Sequence, residues 1–137
     1  MTRINLVDPS ELSDQHLVAE YREIFMVGSS LQRSLKSKNW EKTLANIPKK
    51  YTLNKGHVTF FYNKGKYLYK RYDVLIREMK NRGMKTDSDR KFKIEQWPKE
   101  LFNDWEPEPD DYKIIRARIK EKIEMKPDWY RFTKNKT

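Results

Sequence analysis

The residues of this chain best suited to covalent chemistry lie within its first twenty-three positions. If Met1 is removed, which the small side chain of Thr2 permits, the chain begins with a free α-amine. Such an amine has a pKa of about 7.7–8.0, against about 10.4 for lysine, so a useful fraction of it is neutral and nucleophilic near pH 7. On its own, however, a Met-Thr start is usually an ordinary N-terminus.

Two carboxylates follow on a predicted helix. His16, Glu20 and Glu23 share one side of that helix, because residues three and four apart lie on one face. Glu23 adjoins the apolar stripe, so burial would raise its pKa, whereas a neighbouring cation would lower it. Charge type alone leaves both glutamates open as the acid–base group.

The charge of the chain points to a polyanionic partner. The net charge is +10, with ten Lys/Arg against three acids in residues 41–80 and nine against three in residues 112–137. Residues 95–111 reverse the sign, with seven acids and one lysine. This segregation predicts a basic face that binds nucleic acid or, as a second choice, an anionic membrane surface. The plainer alternative is a charged surface that serves solubility.

The composition limits the other function classes. A chain of 137 residues with 36% hydrophobic residues is predicted to be one domain, spanning residues 1–137, with a modest core. Without cysteine and with only two histidines, the chain is expected to form no disulfide, no thiolate metal site and no conventional zinc site. We expect no cofactor. No apolar run is long enough for a membrane span and no signal peptide opens the chain, so we expect a soluble intracellular protein.

Three helices are predicted from apolar residues spaced three and four apart. The first begins at a cap on Ser13 or Asp14 and ends near Lys38, the second covers about 64–81, and the third starts at Asp110 or Asp111 and ends by Lys126. Their stripes are Leu17, Tyr21, Ile24, Gly28, Leu31 and Leu35; Leu68, Tyr72, Leu75 and Met79; and Tyr112, Ile115, Ile119 and Ile123. The glycine in the first stripe predicts a bend or the close passage of another backbone.

The connections between these helices carry weaker signals. A short amphipathic piece around Trp40 and Leu44 ends by Pro48. Residues 58–62 have strand composition but lack a partner strand, so we predict a packed loop. Residues 84–109 form a long polar connection. The predicted fold is therefore mainly α: a compact single domain of about three helices with long packed loops and no substantial sheet.

Several short motifs carry a family resemblance. These are TRINL at 2–6, DQHL at 14–17, AEYRE at 19–23, GHVTFFY at 56–62 and WYR at 129–131. In this order and spacing they resemble the pyrimidine-dimer DNA glycosylase/AP lyase family of phage and algal-virus enzymes known as UV endonuclease V. The resemblance covers nearly the whole chain.

The resemblance implies a metal-independent enzyme that cleaves the glycosidic bond of the 5′ base in a cyclobutane pyrimidine dimer. It implies that the Thr2 α-amine then nicks the strand by β-elimination through a Schiff base, while Glu23 stabilises cationic character at the sugar. The expected partners are double-stranded DNA with UV lesions and undamaged duplex DNA. The expected form is a monomer in a virus-infected host cell or a bacterial cytoplasm.

The resemblance also implies a set of DNA-binding residues. They are Arg3, Gln15, His16, Arg22, Arg118, Lys122, Trp129, Tyr130 and Arg131. Cationic members of such a set position phosphates without reading sequence. His16 is also read as a structural histidine, and Trp129 and Tyr130 as core aromatics that tie down the C-terminus.

Two positions depart from the family pattern. Met26 stands where many relatives have arginine, and Tyr72 where relatives have glutamine. Both changes bear on the choice of lesion and on the treatment of the base opposite it. The sequence therefore leaves two alternatives open, the same chemistry on another damaged base and a basic, non-catalytic nucleic-acid-binding module.

Overall fold

A computed structural model of the protein describes residues 3–133, which are mainly helical and form no strand. The α-helices are α1 (Asp14–Glu23), α2 (Phe25–Leu35), α3 (Trp40–Ala45), α4 (His57–Phe60), α5 (Gly65–Asn81) and α6 (Pro109–Met125). Short 3-10 helices cover Pro9–Glu11, Phe61–Asn63, Ile94–Gln96 and Lys99–Leu101. This confirms the predicted fold class. No helix in the described part of the chain is long and apolar enough to cross a membrane.

The predicted first helix is in fact two helices. Ser13 caps α1 as expected, since its hydroxyl accepts from the backbone of His16. The helix is interrupted at Ile24, and α2 ends at Leu35 rather than near Lys38. Ile24 is fully buried, so the apolar stripe continues through the break. Periodicity alone therefore could not reveal the interruption.

Gly28 has a different role from the two that were predicted. The helix break lies four residues earlier, and side chains rather than a backbone approach this glycine. A Cβ at Gly28 would lie 2.5 Å from Oε1 of Gln96 and 3.4 Å from Nε1 of Trp97. Gly28 therefore lets the segment that contains these two residues pack against α2.

The predicted packed loop at residues 58–62 is helical. These residues belong to α4 and to the 3-10 helix that follows it. The prediction that they form no strand is confirmed, whereas the prediction of a loop is wrong. Its strand-favouring residues serve burial instead. Phe60 and Phe61 are buried, pack edge-to-face at 5.1 Å, and lie against Tyr51 and Trp105.

The two long helices match their predictions closely. The helix predicted at about 64–81 is α5, which ends at Asn81. Gly83 follows shortly after it, with a φ of 77°, the left-handed conformation that favours glycine. The predicted cap of the third helix is wrong, because Glu108 is the N-cap and forms a capping box with Asp111. Among the pairs of elements, α1 and α5 make the most extensive contact. The core between them holds the start of the chain in place.

Candidate active site

One cleft brings together eight of the eleven residues predicted for the site. Its volume is about 190 Å³, and it lies between the start of the chain, α1, α6 and the segment that follows α6. Its lining residues are Arg3, Asn5, Gln15, His16, Ala19, Glu20, Glu23, Arg118, Lys122, Trp129 and Tyr130. We call residues 3–7 the N-terminal segment and residues 129–133 the C-terminal segment.

The N-terminal segment is bound to a buried carboxylate. Glu20 is 1% exposed, and its Oε1 accepts from the Asn5 backbone N–H at 3.1 Å and from the Asn5 side-chain amide at 2.9 Å. The Arg71 guanidinium donates to the same carboxylate, from Nε at 2.6 Å and from Nη2 at 3.0 Å. Glu20 is therefore committed to holding the chain in position.

Arg71 completes this buried pair. It lies on α5 outside the predicted apolar stripe, yet it is 5% exposed. Its Nη1 donates to the carbonyls of Leu6 and Val7 at 3.1 and 2.6 Å. Burial acts to lower the pKa of Arg71, but the Glu20 carboxylate outweighs it and raises that pKa. The guanidinium thus stays charged and links α1 and α5 to the N-terminal segment.

Glu23 lies one turn beyond Glu20 and faces the cleft. It is half-buried, and it lies close enough to Arg3 to act on its charge. Burial, followed by the Arg118 guanidinium, lowers the pKa of Arg3, and Glu23 opposes that shift. Glu23 and the Arg118 guanidinium therefore both act on the charge of Arg3 within the cleft.

The Arg118 guanidinium also acts on His16. Burial, followed by Arg118, lowers the pKa of His16, which favours the neutral imidazole. Its Nδ1 lies 2.8 Å from the Ser13 hydroxyl. With Lys122 also lining the cleft, the arrangement suits an anion such as a phosphate.

The C-terminal segment contributes two aromatic rings. Tyr130 is half-buried and stacks on His16 with ring centroids 4.8 Å apart and planes inclined by 6°. Trp129 meets Tyr130 edge-on at 5.0 Å and is 57% exposed. Tyr130 thus packs against α1, whereas Trp129 presents an open face and is not a core aromatic.

Gln15 holds the C-terminal segment against α1. Its Nε2 donates to the Trp129 carbonyl at 2.7 Å, and its Oε1 accepts from the Arg131 N–H at 2.9 Å. The Asp14 N–H donates to the Arg131 carbonyl at 2.7 Å. Gln15 therefore positions one wall of the cleft.

A family comparison bears directly on this cleft. A family model described as pyrimidine dimer DNA glycosylase matches residues 1–92, more than half of the 137 residues. This chain belongs to the pyrimidine dimer DNA glycosylase family. The chain is therefore a DNA repair glycosylase, and its partner is damaged DNA.

The cleft is lined by residues from inside and from outside the matched range. Arg3, Gln15, His16 and Glu23 lie within residues 1–92, whereas α6 and the C-terminal segment lie beyond them. Only the fold brings Arg118 and Lys122 to the same cleft as Glu23. Residues of the matched part and residues beyond it therefore line one cleft.

Three predicted residues do not line the cleft. Thr2 lies outside residues 3–133. Arg22 is exposed and lies beside Lys85 and Arg90 at a separate depression. Arg131 is exposed and takes part through its backbone bonds to α1.

Sequence reasoning missed the residues that hold the glycosylase's N-terminal segment. These are Asn5, Glu20, Tyr51, His57 and Arg71. Their partners are about fifteen to sixty-five positions away in the chain, beyond the reach of helical periodicity. The only local signals were the motifs that contain Asn5, Glu20 and His57.

Proposed function

We propose that this glycosylase releases the 5′ base of a cyclobutane pyrimidine dimer and then nicks the strand by β-elimination. The proposed nucleophile is the α-amine of Thr2 after removal of Met1. The observation that carries this proposal is the meeting of Arg3 and Glu23 in one cationic cleft. Thr2 directly precedes Arg3 in the sequence, and Arg3 lines the cleft.

The first step transfers the sugar carbon from the base to the amine. The amine nitrogen bonds to C1′ as the C1′–N bond to the base breaks, and the base leaves with the electron pair. The nitrogen loses its proton and the sugar ring opens, which gives a Schiff base. We assign to Glu23 the stabilisation of positive charge at the sugar, because a fixed carboxylate in a confined site favours that charge.

The second step cuts the strand. A proton leaves C2′, and the phosphate on C3′ departs with the electrons of the C3′–O bond. Water then hydrolyses the Schiff base and restores the amine. The positive charge of the Schiff base makes the C2′ proton more acidic, and we assign its removal to the Glu23 carboxylate, which lines the cleft.

The size and charge of the cleft support attack at the sugar. Its volume of about 190 Å³ is below the roughly 300–1,000 Å³ of pockets that enclose drug-sized ligands. It suits a deoxyribose and a phosphate better than a whole dimer. Because C1′ is inaccessible in a regular duplex, we expect the DNA to be kinked and a base to leave the stack.

A nicking assay tests the activity and the lesion. Supercoiled plasmid with and without UV irradiation is incubated with the protein in EDTA, and nicked circles are counted. We expect nicks in irradiated plasmid alone, and an oligonucleotide with a single cyclobutane dimer to be cut where an oligonucleotide with another damaged base is not. Binding to both plasmids without nicks would indicate a non-catalytic module, and cutting of the other lesion alone would indicate a different substrate.

A further inference from the structure

The peptide groups on either side of Ile4 are held by two buried side chains from a distant part of the chain. The Ile4 N–H donates to Nε2 of His57 at 2.9 Å, and the Ile4 carbonyl accepts from the Tyr51 hydroxyl at 2.8 Å. These partners are 53 and 47 positions away along the sequence. Tyr51 and His57 are 4% and 2% exposed, so water does not compete for these bonds.

The tautomer of His57 follows from its other contact. Its Nδ1 lies 2.8 Å from the Thr52 carbonyl, which can only accept a hydrogen bond. Nδ1 therefore carries the proton and Nε2 is left as the acceptor that the Ile4 N–H requires. Burial lowers the pKa of His57 to about 4, which keeps the ring neutral near pH 7.

The next three residues hold the chain in an unusual turn. Leu6 has a φ of 58°, the only positive value among the described residues other than glycine. The Val7 N–H donates to the Asn5 carbonyl at 2.5 Å, the bond of a γ-turn. Such a conformation persists only where the surroundings determine it, and Arg71 binds the carbonyls of both Leu6 and Val7.

We propose that Tyr51 and His57 are positioning residues that fix the Ile4 peptides and thereby aim Arg3 and the Thr2 α-amine at the cleft. This inference rests on the proposed function, in which that amine is the nucleophile. The first residues of a chain are poorly ordered unless they are tied down. A reaction at the amine therefore needs an anchor, and both backbone groups of Ile4, two residues further along the chain, are bound.

The chain contains a matched control for the Tyr51 hydroxyl. Tyr62 is also 4% exposed, and its hydroxyl is 2.6 Å from the Ser30 hydroxyl and 3.0 Å from the Ser34 hydroxyl. Both serines lie on α2, away from the N-terminal segment. Tyr62→Phe and Tyr51→Phe therefore remove the same group at the same burial, but only the second releases Ile4.

His57 offers a conservative rescue. A glutamine amide reaches the position of Nε2 and can accept from the Ile4 N–H. An asparagine amide reaches only the position of Nδ1, so it keeps the contact to Thr52 and loses the contact to Ile4. His57→Gln should therefore retain the positioning that His57→Asn abolishes.

The test measures trapping and binding separately. A duplex with one abasic site is mixed with excess protein and borohydride, and the single-turnover rate of adduct formation is recorded. The dissociation constant is measured on a duplex with a reduced, uncleavable abasic site, and melting temperatures are recorded. We expect Tyr51→Phe and His57→Asn to slow trapping about tenfold or more, since small displacements of a reacting group are costly.

The controls should behave differently. Tyr62→Phe and His57→Gln should trap within about twofold of wild type, and all four variants should bind the uncleavable duplex within about twofold. Equal rates for Tyr51→Phe and Tyr62→Phe, with the wild-type adduct mapped to the residue-2 amine, would overturn the positioning role and leave the proposed function standing. An adduct on an internal lysine of the wild type would overturn both.

Discussion

The two walls of the cleft differ in how deeply their charged groups are buried. The inner wall, the N-terminal segment with α1, depends on buried charge, because Glu20 is 1% and Arg71 5% exposed. The outer wall, α6 with the C-terminal segment, presents the half-buried Arg118, the exposed Lys122 and the exposed Trp129. A buried charge must be paired and so fixes geometry, whereas an exposed charge stays available to a ligand.

The same contrast between a buried, paired charge and a charge that faces the cleft occurs within one turn of α1. Glu20 and Glu23 lie on one side of α1, yet Glu20 is saturated by Asn5 and Arg71 while Glu23 faces the cleft. Similar side chains therefore have separate tasks. Substitutions on the inner wall should first affect folding or positioning, and those on the outer wall should first affect binding.

The largest expected effect is on the buried pair. Glu20→Gln leaves the Arg71 charge uncompensated, so the free energy of unfolding should fall by about 3–5 kcal/mol. Urea unfolding followed by circular dichroism measures this. Glu23→Gln is the matched control one turn away and should change stability by less than about 0.5 kcal/mol. A Glu20→Gln protein as stable as wild type would show that the inner wall does not depend on this pair.

A pH titration probes the inner wall at His57. Burial lowers the pKa of His57 from 6.5 to about 4. Between these two pH values the unfolded state binds a proton at His57 and the folded state does not. The stability is fully present above pH 6.5 and is lost as the pH falls through 4, by up to about 3 kcal/mol. His57→Gln should make the stability curve shallower in this window. Parallel curves for the two proteins would contradict a neutral, buried His57.

On the cleft side of α1, Glu23→Gln should leave the fold and DNA binding intact. Release of the base should fall by about 10² or more, because the charge opposite the cationic sugar is lost. Single-turnover base release from an oligonucleotide with one dimer measures this, well below the melting temperature of either variant. If Glu20→Gln is inactive while folded and Glu23→Gln is active, the acid–base role belongs to Glu20.

The smallest effect is expected on the outer wall. Replacing Arg118 and Lys122 with glutamine should weaken binding to damaged and undamaged duplexes alike. Each lost phosphate contact should reduce the slope of log K against log salt by about 0.9, roughly two units in all. Lys113→Gln with Lys120→Gln removes the same charge from exposed α6 positions outside the cleft lining. A similar loss of slope in both double variants would assign the effect to net charge rather than to the outer wall.

The helix limits that the sequence predicted correctly are those marked by residues close by in the chain. The limits of α5 and the end of α6 follow from apolar spacing and from Gly83 and Pro127, which are local signals. The break at Ile24 leaves the apolar stripe intact, so it gives no such signal. The cap at Glu108 was missed because Asp110 and Asp111 are stronger cap residues by type.

The site also contains some features that the local sequence predicted and others that depend on distant residues. The basic residues of α6 were readable as a charged face, but the fold was needed to place Arg118 beside Arg3. The role of Arg71 was not readable, because its partner Glu20 is 51 positions away. Gln15 lines the cleft as one of the residues predicted to contact DNA, and its side chain also holds the backbone of the C-terminal segment, which the sequence did not indicate.

Mapping the covalent adduct shows whether the α-amine of Thr2 is the nucleophile. The protein is incubated with a dimer-containing duplex and borohydride, and the covalent adduct is digested and mapped by mass spectrometry. We expect a reduced Schiff base on the α-amine of residue 2, with Met1 absent, and no adduct when an extra residue precedes Thr2. An adduct on the side chain of an internal lysine, such as Lys122, would contradict it.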